Sequence, residues 1–256
     1  MQDKLGSTFT QQAQLYDEVR PHYPRLLFDD LAGCTRLTSQ SSVLEVGSGT
    51  GQATEDLITI TPRVTCIEPG QELFEILRGR FPQLSLHNQL FEDFSSDKVF
   101  DVIFSATAWH WINPDIGYRK AHELLQGSGY LVTARHFHHE RTPDAFHIRA
   151  NQIYEAIQRK PSRKIETGLH PGIDKEVALL NNQLFRLVKH AEYPWEQILS
   201  IDEYINLRNT YYEIISLTPE DRAEFERQVR ELASREFAGR LTINYTTTLN
   251  IAQKIS

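Results

Sequence analysis

Thiols are scarce in this chain of 256 residues: Cys34 and Cys66 are its only cysteines. They lie far apart and match no C-x-x-C spacing, which excludes the common cysteine metal and redox motifs and reads them as buried, reduced side chains. Long apolar runs are missing too. No stretch approaches the roughly 20 apolar residues that span a bilayer, so no membrane helix is expected. Met1 is followed by polar Gln2, Asp3 and Lys4 rather than by an apolar signal core, and the expected location is cytoplasmic. Positive charge is in deficit: 27 Lys and Arg stand against 34 Asp and Glu, a net charge of -7. Proteins that neutralise many phosphates need clustered Lys and Arg, so a nucleic-acid partner is not expected. Internal repeats and low-complexity tracts are absent as well.

What is present is an ordinary globular balance, 40% hydrophobic and 24% charged, in a length that suits one or two domains with a sizeable core. From about residue 42 to 134 short apolar runs alternate with helical patterns, the mark of a parallel sheet covered by helices. The runs are 42–46, 63–67, 84–87, 100–104 and 130–133. Asn113-Pro114 predicts a helix start as cap and first-turn proline, Leu124 and Leu125 its late apolar face, and Gly127 the turn that stops it. After Ala134 the pattern changes. Behind Pro143, the residues Phe146, Ala150, Ile153 and Ile157 share a helical face, and a looser stretch with Pro161, Gly168, Pro171 and Gly172 follows. Leu184 to Val188 predicts another strand, and Ser200 with Glu203 predicts a capping box. Thr218, Pro219 and Asp221 start a further helix, with Glu226–Arg230 and Glu231–Arg235 spaced as ion pairs. Leu241 to Ile251, rich in Thr, Ile and Tyr, predicts a last strand that returns to the sheet.

The most informative stretch is Glu45-Val46-Gly47-Ser48-Gly49-Thr50-Gly51, between the first strand and a helix expected from about Gln52 to Ile60. Glycines at alternate positions let the backbone turn sharply and approach a ligand that a Cβ would exclude. In doubly wound sheets such a loop, at the carboxyl end of the first strand, is where nucleotides bind. The pyrophosphate fingerprint G-x-G-x-x-G is not met, because position 52 is Gln and the third glycine falls at Gly51. Glu45, just before the loop, would repel a diphosphate and attract a cationic ligand or its ammonium group. Glu68 ends the second strand, 17 residues beyond Gly51, where a carboxylate can accept hydrogen bonds from both ribose hydroxyls. These features favour a positively charged nucleoside over NAD.

With Val43-Leu44-Glu45-Val46-Gly47-Ser48-Gly49-Thr50-Gly51 and the acid of Ile67-Glu68-Pro69, the chain resembles the class I S-adenosylmethionine-dependent methyltransferases. Arg20-Pro21-His22-Tyr23-Pro24, Ala108-Trp109-His110-Trp111 and Leu124-Leu125-Gln126-Gly127-Ser128-Gly129-Tyr130 make it similar to the small-molecule branch that includes trans-aconitate methyltransferase-like proteins. The likeness covers about residues 9 to 136, and more weakly Phe185 to Ile251. It implies an α/β fold: a three-layer, doubly wound, mostly parallel sheet of the Rossmann-like methyltransferase type, with a helical cap insertion and an antiparallel last strand. The implied divisions are a lid and cofactor-binding core over 1–136, a cap over 137–182, and a C-terminal part of the core with cap elements over 183–256. The resemblance also implies the cofactor S-adenosylmethionine, with S-adenosylhomocysteine as product. Gly47, Ser48 and Gly49 would contact its methionine part, with Glu45 and Gly51 flanking. Glu68 would bind the ribose, Pro69 and the pair Glu92-Asp93 would lie near the adenine, and Ser105 with Ala106 would face the sulfonium. Leu90 and Phe91 depart from the family pattern, which has Asp and a small residue there.

Methyl transfer is an in-line displacement, so the protein chiefly positions the nucleophile and excludes water. His110 is the base candidate, although packing between two large rings explains it as well; the flanking Trp109 and Trp111 are pocket-wall candidates, of which at least one is expected to be ordinary core. Tyr16, Arg20 and Tyr23 are lid candidates. Arg208 and Tyr211 are cap candidates, the arginine as partner of a substrate carboxylate. His136, His138, His139 and Glu140 cannot all converge on a metal from one strand, so no metal is expected. The function expected is methylation of a small molecule; an NAD-dependent oxidoreductase and a non-catalytic binder of the cofactor are the alternatives.

Overall fold

In the computed structural model, residues 13–138, 144–158 and 177–255 are described. The strands are β1 (Val43–Val46), β2 (Val64–Ile67), β3 (Ser85–His87), β4 (Phe100–Ala106), β5 (Leu125–His138), β6 (Phe185–Ser200) and β7 (Arg240–Lys254), and they form one sheet in the order β3-β2-β1-β4-β5-β7-β6. The first five are parallel; β7 runs antiparallel to both β5 and β6. The order reverses at β1, between β2 and β4, and a crevice opens there beyond the carboxyl ends of the strands. This is the Rossmann-like methyltransferase fold with its antiparallel last strand. Among the described residues no helix is long and apolar enough to cross a membrane.

Helices α1 (13–19), α2 (Arg25–Thr35), α3 (Thr54–Ile60), α4 (Gln71–Arg80), α5 (Pro114–Leu124), α6 (Ala145–Ile157), α7 (Ile201–Arg208), α8 (Tyr212–Ile215) and α9 (Pro219–Glu236) surround the sheet. Alternation along β1 and β4 feeds two cores. Val43, Val102, Phe104 and Val132 meet α2 and α3 on one face, while Leu44, Ile103 and Leu131 meet α5 on the other. A third core joins α6, α7 and α9 around Phe146, Tyr204, Phe225 and Val229, and the first half of β7 enters it through Leu241, Ile243 and Tyr245. Strand β7 therefore belongs both to the sheet and to the cap.

Several ends differ from expectation. Helix α3 begins at Thr54, after the glycine loop has used Gln52 and Ala53 to complete its turn. Gly127 lies inside β5 rather than in a turn: α5 stops at Leu124, and Leu125 already pairs with Phe100 before a register shift. Strand β6 runs to Ser200, far beyond Val188, because it is an edge strand. Its outer positions face solvent, and Pro194 is tolerated there. The Ser200–Glu203 capping box forms, as does the Glu231–Arg235 pair at 2.9 Å. Arg230 turns away from Glu226 to pair with Asp202 at 2.6 Å, and Glu226 accepts from Asn209 instead. In the histidine cluster, His136 bonds Thr247 through Nδ1, His139 and Glu140 lie outside the described residues, and no three potential metal ligands converge among those described.

Candidate functional site

The loop after β1 is shaped by backbone that only glycine adopts easily. Gly47, Gly49 and Gly51 have φ of 72°, 58° and 103°. A Cβ on Gly47 would stand 2.3 Å from the Ala108 Cβ, and one on Gly51 would stand 2.3 Å from the Phe81 ring. Gly49 faces more open space, its nearest neighbour being the Gln52 side chain at 3.6 Å. Two carboxylates brace this loop. Thr54 Oγ1 donates to Glu45 at 2.6 Å, and burial pushes the Glu45 carboxyl up to about 7. At the end of β2 the Glu68 carboxylate accepts from the Gly49 N–H at 2.9 Å and from the Gly70 N–H at 2.7 Å. Desolvation raises Glu68 above the usual carboxylate range, and those two hydrogen bonds oppose the rise.

Loop and carboxylates form one wall of a cavity of about 650 Å³, a size suited to small-molecule sites. Pro69, Leu73, Leu90 and Phe91 continue that wall as an apolar slot, with Glu92 at its edge. The opposite wall is assembled from distant parts of the chain. Arg20 lies between the Tyr16 and Tyr211 rings, 4.6 and 4.2 Å from their centroids, and donates to Thr210 Oγ1 at 2.9 Å and to Thr210 O at 2.8 Å. Segments almost the length of the chain apart are thereby clamped across the cavity. Tyr23 stacks on His136 at 4.2 Å and shares a 2.7 Å hydrogen bond with Thr107. Thr107, at the end of β4, has φ 55°, a strained conformation for a β-branched residue. His110 lines the cavity beside Trp111; desolvation first, and the charge of Arg135 second, push it down to about 4.

Most of the residues singled out from sequence meet at this cavity: Glu45, Gly47, Ser48, Gly49, Glu68, Pro69, Glu92 and Ala106 on one side, Tyr16, Arg20, Tyr23, His110, Trp111 and Tyr211 on the other. Five do not. Gly51 is held by its packing on Phe81, and Asp93 is exposed beyond the slot. The Ser105 hydroxyl turns inward to donate to Val46 O at 2.9 Å. Trp109 is core, packed on Phe91 and Tyr118. Arg208 is buried in the cap, where it donates to Asn151 at 3.1 Å and to the Tyr204 hydroxyl at 2.9 Å, so the guanidinium does not reach the cavity.

Conversely, Thr107, Arg135, His136, Glu213 and Ile215 line the cavity without having been singled out as substrate contacts. The position of Arg135 and His136 at the carboxyl end of a parallel strand was a usable signal. Glu213 and Ile215 carried none, because nothing local shows which face of a short helix looks inward.

Comparison with known proteins agrees with this geometry. Residues 43–129, which hold the loop, the Glu68 strand and β4, match the family described as "Methyltransferase domain". This part of the chain is similar to methyltransferase domains. An uncharacterised methyltransferase of Schizosaccharomyces pombe is 20% identical over 257 residues, covering 98% of each chain. One from Bacillus mycoides is 32% identical over 123 residues, which are 46% of this chain and 56% of the relative. A proposed type II methyltransferase from Anaeromyxobacter dehalogenans shares the fold with a TM-score of 0.67 at 17% identity, over 91% of this chain and 97% of its own. The matched residues thus carry the glycine-loop wall, whereas the opposite wall lies largely outside residues 43–129.

Proposed function

We propose that the protein transfers a methyl group from S-adenosylmethionine to a small organic molecule. The observation that carries this reading is the Glu68 carboxylate, held by the Gly49 and Gly70 N–H groups at the switch point of the sheet. A carboxylate there suits vicinal ribose hydroxyls. The surroundings fit the rest of the cofactor. Glu45 under the loop repels a pyrophosphate, and Arg20, a cation on the wall, spends its hydrogen bonds on Thr210. Pro69, Leu73, Leu90 and Phe91 offer an apolar slot for a base, and Ala106 leaves room at the end of β4. When bound, the cofactor supplies an electrophilic methyl on a sulfonium sulfur. Held by Gly47, Ser48, Gly49 and Glu68, it would supply that methyl to an in-line nucleophile, the sulfur keeping the electron pair.

The residues of this chain position and shield the reactants. Gly47, Ser48 and Gly49 bring backbone against the amino-acid part, and Glu68 fixes the ribose. Tyr16 and the Arg20 clamp cover the site and exclude water. His110, neutral at pH 7 because of its lowered pKa, accepts a hydrogen bond from the nucleophile and, where the nucleophile carries a proton, passes that proton to water.

The test is calorimetric titration with S-adenosylhomocysteine, with NAD as control and Glu68→Ala as second protein. The expected result is micromolar affinity, no NAD binding, and a loss of about 100-fold in the variant, on the scale of hydrogen bonds to a charged group. Binding of NAD instead, or no binding of S-adenosylhomocysteine, would overturn the reading.

A further inference from the structure

Arg135 stands apart from Arg20, the other arginine lining the cavity. It lies on β5 one position before His136 and on the opposite face of the sheet, and it lines the cavity. Its guanidinium packs on the Phe137 ring, 4.9 Å from the centroid, and among the described residues it meets neither a carboxylate nor a hydrogen-bond acceptor. Arg20, by contrast, is fully committed to Thr210 and two tyrosine rings. A half-buried guanidinium with a fork of donors and no partner is a binding group for a planar anion. Its charge also reaches His110, which places it on the acceptor side of the cavity.

Three large side chains of the cavity are open to solvent. Trp111, Tyr212 and Ile215 line the cavity yet remain 75%, 76% and 38% exposed. Large side chains left in water around a concave site mark a ligand surface. The charge inventory narrows the anion. Glu45, Glu68, Glu92 and Glu213 line the same cavity, so a dianion would meet more repulsion than a single negative charge.

From this arrangement we infer that the methyl acceptor is an amphipathic carboxylic acid, its carboxylate held by Arg135 and its apolar body covered by Trp111, Tyr212 and Ile215. The inference rests on the cofactor reading above, since it treats this side of the cavity as the acceptor side.

The test titrates the full chain, saturated with S-adenosylhomocysteine, with three probes: indole-3-acetate, indole-3-acetamide and phenyl phosphate. Binding is followed by calorimetry and by quenching of tryptophan fluorescence. Indole-3-acetate is expected to bind at least tenfold more tightly than either other probe. Arg135→Gln should weaken it by tenfold or more, Arg135→Lys by less, and Arg186→Gln, on the sheet edge, not at all. Unchanged affinity for S-adenosylhomocysteine in Arg135→Gln shows that the variant is folded. Equal binding of acid and amide, tighter binding of phenyl phosphate, insensitivity to Arg135→Gln, or no probe binding at all would each overturn the inference while the cofactor reading stands. Failure to bind S-adenosylhomocysteine would overturn the cofactor reading first.

Discussion

The glycine-loop wall and the wall facing it are built by opposite means. Glu45, Gly47, Gly49, Glu68 and Pro69 come from one short stretch, and each is fixed by a strand end or by backbone that only glycine adopts. Arg20, Thr107, Arg135 and Tyr211 come from an N-terminal turn, two strand ends and the cap, and meet only after the chain has folded. The first wall is local geometry; the second is tertiary packing. A site divided in this way can keep its cofactor chemistry while the acceptor changes, because substitutions in the cap leave the loop untouched.

Substitutions within the loop give the largest expected effect on function, a complete loss of cofactor binding. Gly47→Ala places a Cβ 2.3 Å from Ala108 in a backbone at φ 72°. It should abolish S-adenosylhomocysteine binding in calorimetry and cost about 2–3 kcal/mol of stability in urea denaturation. Gly49→Ala, at φ 58° but with its nearest neighbour 3.6 Å away, carries strain without a clash and should cost about 1–2 kcal/mol. Equal losses would mean that the Ala108 contact does not matter and that left-handed backbone alone defines this wall.

The same division explains how much could be read from sequence. The parallel strands, the loop and Glu68 show in short apolar runs, glycine spacing and an acid at a strand end, all local signals. The pair Trp109 and Trp111 shows where such signals run out. Both flank His110 in one short turn, and sequence offers both as pocket walls and expects at least one to be core without telling which. The turn sends Trp109 into the core against Phe91 and Tyr118 and leaves Trp111 at the cavity. Arg208 misleads for the same reason: it sits on a cap helix, and only the third core decides that it points at Tyr204. Edge strand β6 hides its length because Lys189, Glu192 and Pro194 interrupt its alternation of apolar and polar residues.

These tryptophans sharpen the comparison at intermediate scale. Trp109 is 6% exposed and Trp111 is 75% exposed. Trp109→Ala should destabilise by about 3–5 kcal/mol, as expected for removing a large core ring. Trp111→Ala should stay within about 0.5 kcal/mol of the parent in the same denaturation series. Its loss should appear instead in the binding of apolar acids. A large destabilisation by Trp111→Ala would move that ring out of the ligand surface and into the structural core.

The smallest effect separates the two walls by the sign of their response to pH. Glu45, on the loop wall, has a carboxyl raised by burial from 4.5 to about 7. Between those values the folded chain binds more protons than the unfolded chain, so its contribution to stability is lost as pH rises through that window. His136, on the facing wall, is lowered from 6.5 to about 3, again by burial first and by Arg20 second. There the unfolded chain binds more protons, and stability is lost as pH falls from 6.5 toward 3. Where the windows overlap, the slopes oppose. Glu45→Gln, which keeps an acceptor for Thr54, should therefore gain stability relative to the parent as pH goes from 5 to 7. His136→Asn should lose it over the same interval, whatever its absolute stability. Glu68 shifts in the same direction as Glu45, so some of the downward slope persists in Glu45→Gln. Urea midpoints at pH 5 and pH 7 read both differences, and slopes of the same sign in the two variants would show that the buried charges of the two walls are not independent.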